Sequence, residues 1–155
     1  MKDYTAGSTI TGSTPLGTRY KEHLVDGIHS YGKFTDCSAT FHYWDDWYLI
    51  DLGSMRTIRE IKFLIENYST TIYLKDYKFR IGDHPVPGGD FSSYTQFAFY
   101  SEPLGPDKFI VLTRDPPIIG RYVSIQRWSD RSICNPAGGT INVKCHINIC
   151  HLEIR

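Results

Sequence analysis

The sequence predicts an all-β fold, a single β-sandwich of the jelly-roll type, on three observations. First, short apolar runs of strand length recur, and each ends at a turn-forming residue or at the chain end, as in Trp47–Gly53. Second, Tyr77, Phe79 and Ile81 alternate with basic residues, which is the period of a half-buried strand. Third, Pro and Gly separate the runs, and no amphipathic helix of useful length can be drawn. A chain of 155 residues with this pattern fits one domain that has its own core.

The elements follow in order along the chain. Residues 1–18 are rich in Gly, Ser and Thr and predict an extended N-terminal arm against the edge of the sandwich, and residues 19–155 form the single domain. Within that domain, Tyr20–Gly27 predicts one helical turn, and the Pro and Gly content of Asp83–Asp90 predicts a loop. The predicted strands are Tyr48–Leu52, Ile58–Ile65, Tyr77–Ile81, Gln96–Tyr100, Phe109–Leu112, Tyr122–Arg127 and Ile147–Ile154.

Composition narrows the class of partner. The charges of the 17 basic and 17 acidic residues cancel. The chain as a whole therefore has no electrostatic attraction for nucleic acid or an anionic membrane, although a local basic patch could still attract either one. No run approaches the roughly 18 apolar residues of a membrane span. Aromatic residues make up 14% of the chain, with eleven Tyr, which suits an aromatic β-core and also a platform for polar ligands.

Signatures of enzymes are missing from the sequence. It contains no Gly-x-Ser-x-Gly turn, no His-Glu-x-x-His, no P-loop and no Gly-rich dinucleotide turn after a strand. Asp45 and Asp46 are adjacent, and adjacent side chains diverge on a strand, so they do not form an acid/base pair. We predict no catalytic activity, and a glycosidase is the form that an enzyme would take.

Four cysteines predict two disulfides and an oxidising, extracellular compartment. Four cysteines allow three connectivities. We favour Cys37–Cys150 with Cys134–Cys145, because the second pair closes a loop whose Gly138-Gly139 can form a tight hairpin turn. The alternative is a zinc site, for which the sequence offers Cys134, Cys145, His146, Cys150 and His151. Against zinc, each adjacent Cys-His pair would point to opposite faces of a strand.

Three motifs resemble the F-type lectin (fucolectin) family and, more broadly, the galactose-binding-like sandwiches of the discoidin type. They are Trp47-Tyr48-Leu49-Ile50-Asp51-Leu52-Gly53, Gly120-Arg121-Tyr122-Val123 and Ile149-Cys150-His151-Leu152-Glu153-Ile154. The resemblance covers roughly Tyr20 to Arg155. It implies a rigid β-sandwich that binds glycans through loops at one end and does not catalyse, and it also implies a Cys37–Cys150 disulfide.

The resemblance also implies a sugar site, which in that family is built from a His, a distant Arg-x-Asp and a second basic residue. Here Glu66, Tyr68 and Tyr73 occupy the later positions, and Lys75 is the nearby basic side chain. The predicted ligand-binding loop cluster is His42, Trp44, Asp45, Asn67, Tyr68, Tyr73 and Lys75. A second candidate is Arg127-Trp128, because a Trp beside an Arg can stack on a sugar or anchor a protein.

Two further features of the loops are predicted, a glycosylation site and a bound calcium ion. Asn67-Tyr68-Ser69 is a glycosylation sequon, which is consistent with secretion. The resemblance implies a calcium ion in the loop after Leu24-Val25-Asp26-Gly27, and hard cations of this kind take several oxygen ligands. The predicted metal ligands are His23, Asp26, Ser38 and Glu153, while Ile28 and His151 stand where the family has Asn and Glu.

These features together predict an extracellular carbohydrate-recognition module for fucose- or galactose-type glycans or glycoproteins. The alternative is a structural or protein-interaction domain of an extracellular assembly that kept the fold and lost the sugar site. A discoidin-like membrane-binding module is a third reading, for which Arg127-Trp128 is the only candidate apolar spike. The first reading predicts a concave loop site with free side chains. The second predicts that the same loops are buried against a neighbour or capped by a glycan at Asn67.

Overall fold

The structure, a computed structural model, describes residues 1–15, 17–18, 20–27, 37–40, 46–65, 76–101, 109–127 and 147–155. Within these ranges the chain forms eight strands and two short 3-10 turns, the turns at Lys21–Leu24 and Pro87–Gly89. The strands are β1 (Thr9–Gly12), β2 (Ser38–Ala39), β3 (Trp47–Leu64), β4 (Tyr77–Gly82), β5 (Thr95–Tyr100), β6 (Phe109–Arg127), β7 (Asn148–Ile149) and β8 (His151–Ile154). No helix in these ranges is long and apolar enough to span a membrane.

Two long antiparallel strands, β3 and β6, run through both layers of a sandwich. Their first stretch of pairing joins Trp47–Asp51 to Tyr122–Gln126, and their second joins Glu60–Leu64 to Phe109–Thr113. Between the two, Arg56–Ile58 pairs with Ile118–Gly120, and the register shifts on either side of this short stretch. The first stretch belongs to a five-stranded layer in the order β1-β3-β6-β4-β5, and β8 adds to β3 only in the second stretch. Irregularities of this kind bend a strand, so one strand can serve both layers.

The core lies between the two layers and is rich in aromatic side chains. The ring of Phe63, in the second stretch of β3, lies 5.2 Å from that of Phe79 and 5.7 Å from that of Tyr77, both on β4. Tyr77, Phe79 and Ile81 are buried and alternate with half-buried Lys78 and Arg80, which confirms the predicted alternation. Each large side chain buried in this way stabilises the fold by about 1.5–3 kcal/mol.

The structure joins strands that the sequence pattern separates. The predicted strand Tyr48–Leu52 and, except for its last residue, the predicted strand Ile58–Ile65 are parts of β3, and Phe109–Leu112 and Tyr122–Arg127 are parts of β6. The reason is that residues 53–55 are exposed at the bend, so their side chains lose the apolar alternation while the backbone continues as a strand.

The structure also divides or adds strands. The predicted strand Ile147–Ile154 is broken at Cys150, because β7 pairs with β2 whereas β8 pairs with β3. The sequence pattern did not predict β2 or β1 as strands. Strand β1 lies inside the predicted arm of residues 1–18 and pairs with Tyr48–Asp51 at the edge of the five-stranded layer.

The segment 83–94 crosses the outer face of the five-stranded layer. Phe91 and Tyr94 are buried there, and the ring of Phe91 lies 5.5 Å from that of Trp47 in an edge-on arrangement. Gln126 Nε2 donates a hydrogen bond of 3.1 Å to Gly89 O. A Cβ at Gly89 would lie 2.5 Å from the Trp47 indole, and Gly89 has φ 81°, so glycine is required at this contact. The predicted loop is therefore present, and it covers the part of the face that β3 and β6 form.

Candidate functional site

The strand ends that carry the predicted loops lie at one end of the sandwich. In the five-stranded layer, Trp47 pairs with Gln126, and Tyr77 pairs with both Arg127 and Tyr100. In the other layer, Leu64 pairs with Phe109 and His151. The ring of Phe63 lies 5.7 Å from Tyr77 and 6.1 Å from Tyr100, so the two layers end on the same side.

We call this side the loop end, and define it by Trp47, Ile65, Tyr77, Tyr100 and Arg127. The segments 41–45, 66–75, 102–108 and 128–146 are joined to these strand ends and lie outside the described residues. They contain most of the predicted ligand-binding and modified residues, namely His42, Trp44, Asp45, Asn67, Tyr68, Tyr73, Lys75, Trp128, Cys134 and Cys145. These assignments, including the second disulfide and the glycosylation site, stay predictions.

Arg127 is the predicted ligand-binding residue that the structure places. It is 7% exposed at the last position of β6, and its guanidinium carbon lies 5.9 Å from the centre of the Tyr77 ring. Burial lowers the pKa of Arg127, and the nearby Tyr77 and Asp76 oppose that effect. An arginine keeps its charge under such a shift, so a buried positive charge lies at the loop end.

Asp76 and Tyr77 give this charge a fixed surrounding. Asp76 has φ 66°, the left-handed region that short polar residues such as Asp tolerate best after Gly. Its neighbour Tyr77 is fully buried, and the Tyr77 hydroxyl donates to Asn148 O (3.3 Å) and accepts from Asn148 N (3.2 Å). The two bonds fasten the start of β4 to β7. Sequence reasoning assigned Tyr77 to the core and missed this role, because nothing local to Tyr77 indicates a partner 71 residues away.

The predicted Cys37–Cys150 disulfide is confirmed. Both cysteines are fully buried beside Leu64 and Phe109, so the bond lies next to the loop end of the layer that β8 forms with the second stretches of β3 and β6. Ser38 Oγ, next to Cys37, donates a 2.9 Å hydrogen bond to Ile149 O. The disulfide and this bond together fix the short β2–β7 pair.

Each of the four predicted metal ligands contacts another residue of the protein. Ser38 makes the bond just described, and the buried carboxylate of Glu153 lies 3.6 Å from Lys62 Nζ and 3.3 Å from His151 Nε2 and also pairs with Arg155. The other two predicted ligands pair with each other, since His23 Nδ1 lies 3.3 Å from Asp26 Oδ2. The part of the chain that the structure describes contains no group of three His, Cys, Asp or Glu side chains that could hold a metal. Residues 28–36 lie outside that part, so the calcium site stays a prediction.

The Asp-Leu-Gly and Gly-Arg-Tyr motifs meet at the opposite end of the layer. Arg121 Nε and Nη2 donate to the two carboxylate oxygens of Asp51 at 2.7 and 2.9 Å, and Gly53 N donates to Asp51 at 2.8 Å. The hydrogen bond from Arg121 lowers the pKa of Asp51 most, and burial partly offsets it; in return, the same bond raises the pKa of Arg121. A bidentate pair of this kind holds β3 and β6 in register, so these motifs are structural.

We expect Asp51→Asn to lower Tm by about 2–4 °C at neutral pH, because the partly exposed pair contributes modestly. The folded pKa of Asp51 lies below its unfolded value of about 3.9, so the contribution is full above that value and is lost as pH falls through the folded pKa. The Tm difference between the two proteins should therefore narrow below about pH 4. Thermal scans from neutral to acidic pH measure it, with Glu22→Gln, on an exposed side chain, as the control. A Tm difference between the two proteins that stays constant with pH would show that the charge of the Asp51 carboxylate does not cause the loss of stability.

Comparison with known proteins finds similarity through structure alone. No family model matches the sequence, and no curated protein matches it. Among solved structures, the chain superposes on an F-lectin (fucolectin) from Morone saxatilis (striped bass) serum with a TM-score of 0.78 and 16% identity, over 99% of this chain and 46% of that one. It thus spans less than half of the fucolectin chain.

Two further structures match over nearly their whole length. The lectin domain of lectinolysin complexed with Lewis B antigen gives a TM-score of 0.74 and 12% identity, over 100% of this chain and 96% of that one. The family 32 CBM from C. perfringens NanJ in complex with galactose gives 0.69 and 14%, over 97% and 94%. At identities this low, the similarity shows that the fold is shared and does not identify the ligand. The chain therefore has the F-type lectin fold, a discoidin-like jelly-roll β-sandwich, as its motifs predicted.

Proposed function

We propose that the chain is an extracellular, non-catalytic carbohydrate-recognition module that binds fucose- or galactose-type glycans at the loop end. The observation that carries this proposal is the convergence of the loop-bearing strand ends around the buried Arg127. A site on rigid strands with loops at one end suits recognition, because the scaffold fixes where each loop starts.

Three further observations support the proposal. The structurally similar lectinolysin domain is complexed with Lewis B antigen, and the NanJ module with galactose. The buried Cys37–Cys150 disulfide supports an oxidising, extracellular location. Arg127 supplies a fixed positive charge at the strand ends from which the loops start, and a guanidinium presents several donors to sugar hydroxyls. A bound calcium ion would belong to the loop after Asp26 and is part of the proposal.

The second candidate is a protein-interaction domain of an extracellular assembly. It is favoured by Glu66, Tyr68 and Tyr73, which stand where the lectin motif has its charged residues, and by the sequon at Asn67. This candidate differs from the first in its partner and shares the same end of the sandwich.

A glycan array of the oxidised protein tests the proposal, run with calcium and again with chelator. We expect selective binding to fucosylated or galactosylated glycans that free fucose or galactose displaces. Loss of binding with chelator would support the calcium site. His42→Ala and Lys75→Ala should each weaken binding by roughly tenfold, the loss expected for one charge-assisted hydrogen bond.

The matched control is Lys2→Ala, because Lys2 is exposed near Tyr4, which pairs with Ile154 away from the loop end. A folded protein that binds no glycan on the array would overturn the lectin proposal and favour the protein-interaction candidate.

A further inference from the structure

The segment 83–94 connects the two ends of the five-stranded layer. It begins after Gly82 and leads into Thr95, and both of these residues lie at the end of the layer opposite the loop end. Between them, Gly89 lies against Trp47, which is one of the residues that define the loop end. The segment therefore runs along the outer face from one end of the layer to the other and back.

The backbone of Trp47 is held by the N-terminal arm. Trp47 N donates a hydrogen bond of 2.9 Å to Ser13 Oγ, and Ser13 N donates one of 2.9 Å to Trp47 O. The indole lies on the outer face, where it packs with the cluster that contains Phe91. The arm thus fixes the backbone of Trp47, and the position of the indole depends on the segment 83–94.

Two residues of that segment hold the indole. The ring centres of Trp47 and Phe91 lie 5.5 Å apart with 72° between the ring planes, which is the edge-on geometry that aromatic pairs prefer. A Cβ at Gly89 would lie 2.5 Å from Trp47 Cδ1 and Nε1, so the absence of a side chain lets the backbone of the segment lie directly on the indole. We call Gly89 and Phe91 the indole brace.

The indole brace also contacts the strand next to Trp47. Gln126 pairs with Trp47 across β3 and β6, and Gln126 Nε2 donates its 3.1 Å hydrogen bond to Gly89 O. Trp47 begins β3 shortly after the segment 41–45, and Gln126 lies one residue before the end of β6, after which the segment 128–146 follows. A single glycine therefore contacts the strand ends from which two of the loop-end segments start.

We infer that the indole brace positions the glycan site at the loop end without belonging to it. The brace fixes the strand ends next to the predicted ligand-binding residues His42 and Trp44, so that a ligand has less to order when it binds. Each side chain that has to be ordered on binding lowers the affinity. The inference rests on the proposed function and makes Gly89 a positioning residue.

Gly89→Ala tests the inference, with Gly88→Ala as the matched control. The two glycines have similar positive φ values, 81° and 76°, so alanine brings similar backbone strain at either position. Only a Cβ at Gly89 would meet Trp47, because no atom of the described residues lies within 4 Å of a Cβ at Gly88. We expect Gly89→Ala to bind the glycan selected on the array about threefold to tenfold more weakly than Gly88→Ala does. Calorimetry at a temperature where both variants are folded measures the ratio.

Amide hydrogen exchange gives a second measurement that needs no ligand. Exchange at the Trp47 amide and in the segment 41–45 should be faster in Gly89→Ala than in Gly88→Ala, while exchange in β8 should be the same in both. Gln126→Glu is the variant to use if Gly89→Ala does not fold. It removes the donor to Gly89 O and keeps an oxygen that can face Arg80, whose Nη1 lies 3.5 Å from Gln126 Oε1, and it should change affinity and exchange in the same direction.

The two measurements separate failure of the inference from failure of the proposed function. If wild type binds glycans and the two glycine variants bind equally well, the inference is overturned and the proposed function stands, whatever the exchange rates are. If wild type binds no glycan, the proposed function is overturned, and the exchange data alone then decide whether the brace holds the two strand ends. Faster exchange in Gly89→Ala would support the brace, and equal exchange would overturn it.

Discussion

Replacing both Cys37 and Cys150 by alanine is expected to lower the free energy of unfolding by about 4–5 kcal/mol. The two residues are 113 positions apart, so the bond removes a large loop-closure entropy from the unfolded chain. Native domains are stable by about 5–15 kcal/mol in total, so this one bond accounts for a large share. Urea denaturation of the oxidised variant and wild type measures the difference.

The matched control for this prediction is Ser38→Ala, which removes the bond to Ile149 O and leaves the disulfide intact. Its cost should be about 1 kcal/mol. Wild type treated with a reductant should lose at least as much stability as the double cysteine variant, because the reductant also breaks the predicted Cys134–Cys145 disulfide. A loss below about 1 kcal/mol in the double variant would contradict the entropic account and show that the unfolded chain is constrained in another way.

The sandwich could be predicted because the local sequence of several strands shows the alternation of apolar and polar residues that is typical of a strand. Tyr77, Phe79 and Ile81 alternate with Lys78 and Arg80, and a period of two belongs to a strand that is buried on one side. The prediction lost accuracy where the pattern is interrupted without a break in the backbone. Residues 53–55 are exposed at the bend, so the sequence predicts two strands where the structure has β3, whose pairing with β6 resumes at Arg56.

Contacts between distant residues were out of reach of the local pattern. Arg121 and Asp51 are 70 positions apart, and Tyr77 and Asn148 are 71 apart. When each of these four residues is considered alone, its sequence context indicates an ordinary surface or core position and does not indicate the distant partner. The Cys37–Cys150 pairing could be predicted over a longer distance, because cysteines have few available partners and the lectin resemblance indicated this one.

That the loop-bearing strand ends meet at one end of the sandwich could be predicted, whereas the ligand-binding residues of the candidate site stay predictions. The strand order puts the loop-bearing ends together whichever residues the loops contain. Arg127 stays a predicted ligand-binding residue, and its 7% exposure and its position over Tyr77 are features that the sequence did not indicate. Burial is a property of the packed layers, and a residue at the end of a predicted strand gives no local sign of it.

Phe63→Ala is expected to cost about 3–5 kcal/mol, because a fully buried ring would leave a cavity between the layers. The ring lies within 5.2–6.1 Å of the rings of Phe79, Tyr77 and Tyr100. Denaturant midpoints measure the loss. Phe63→Leu should cost less because it keeps most of the volume, and Val111→Ala, on a side chain that is 50% exposed, should cost under about 1 kcal/mol.

The same substitution tests whether the core supports the loop end. Phe63 packs against Tyr77, whose hydroxyl holds Asn148 and whose ring lies under Arg127. If these contacts position the loops, Phe63→Ala should weaken glycan binding more than Val111→Ala does, even at a temperature where both variants remain folded. Binding that is unchanged in folded Phe63→Ala would mean that the loops position the ligand without help from the ring stack, and that Arg127 is held by its own strand.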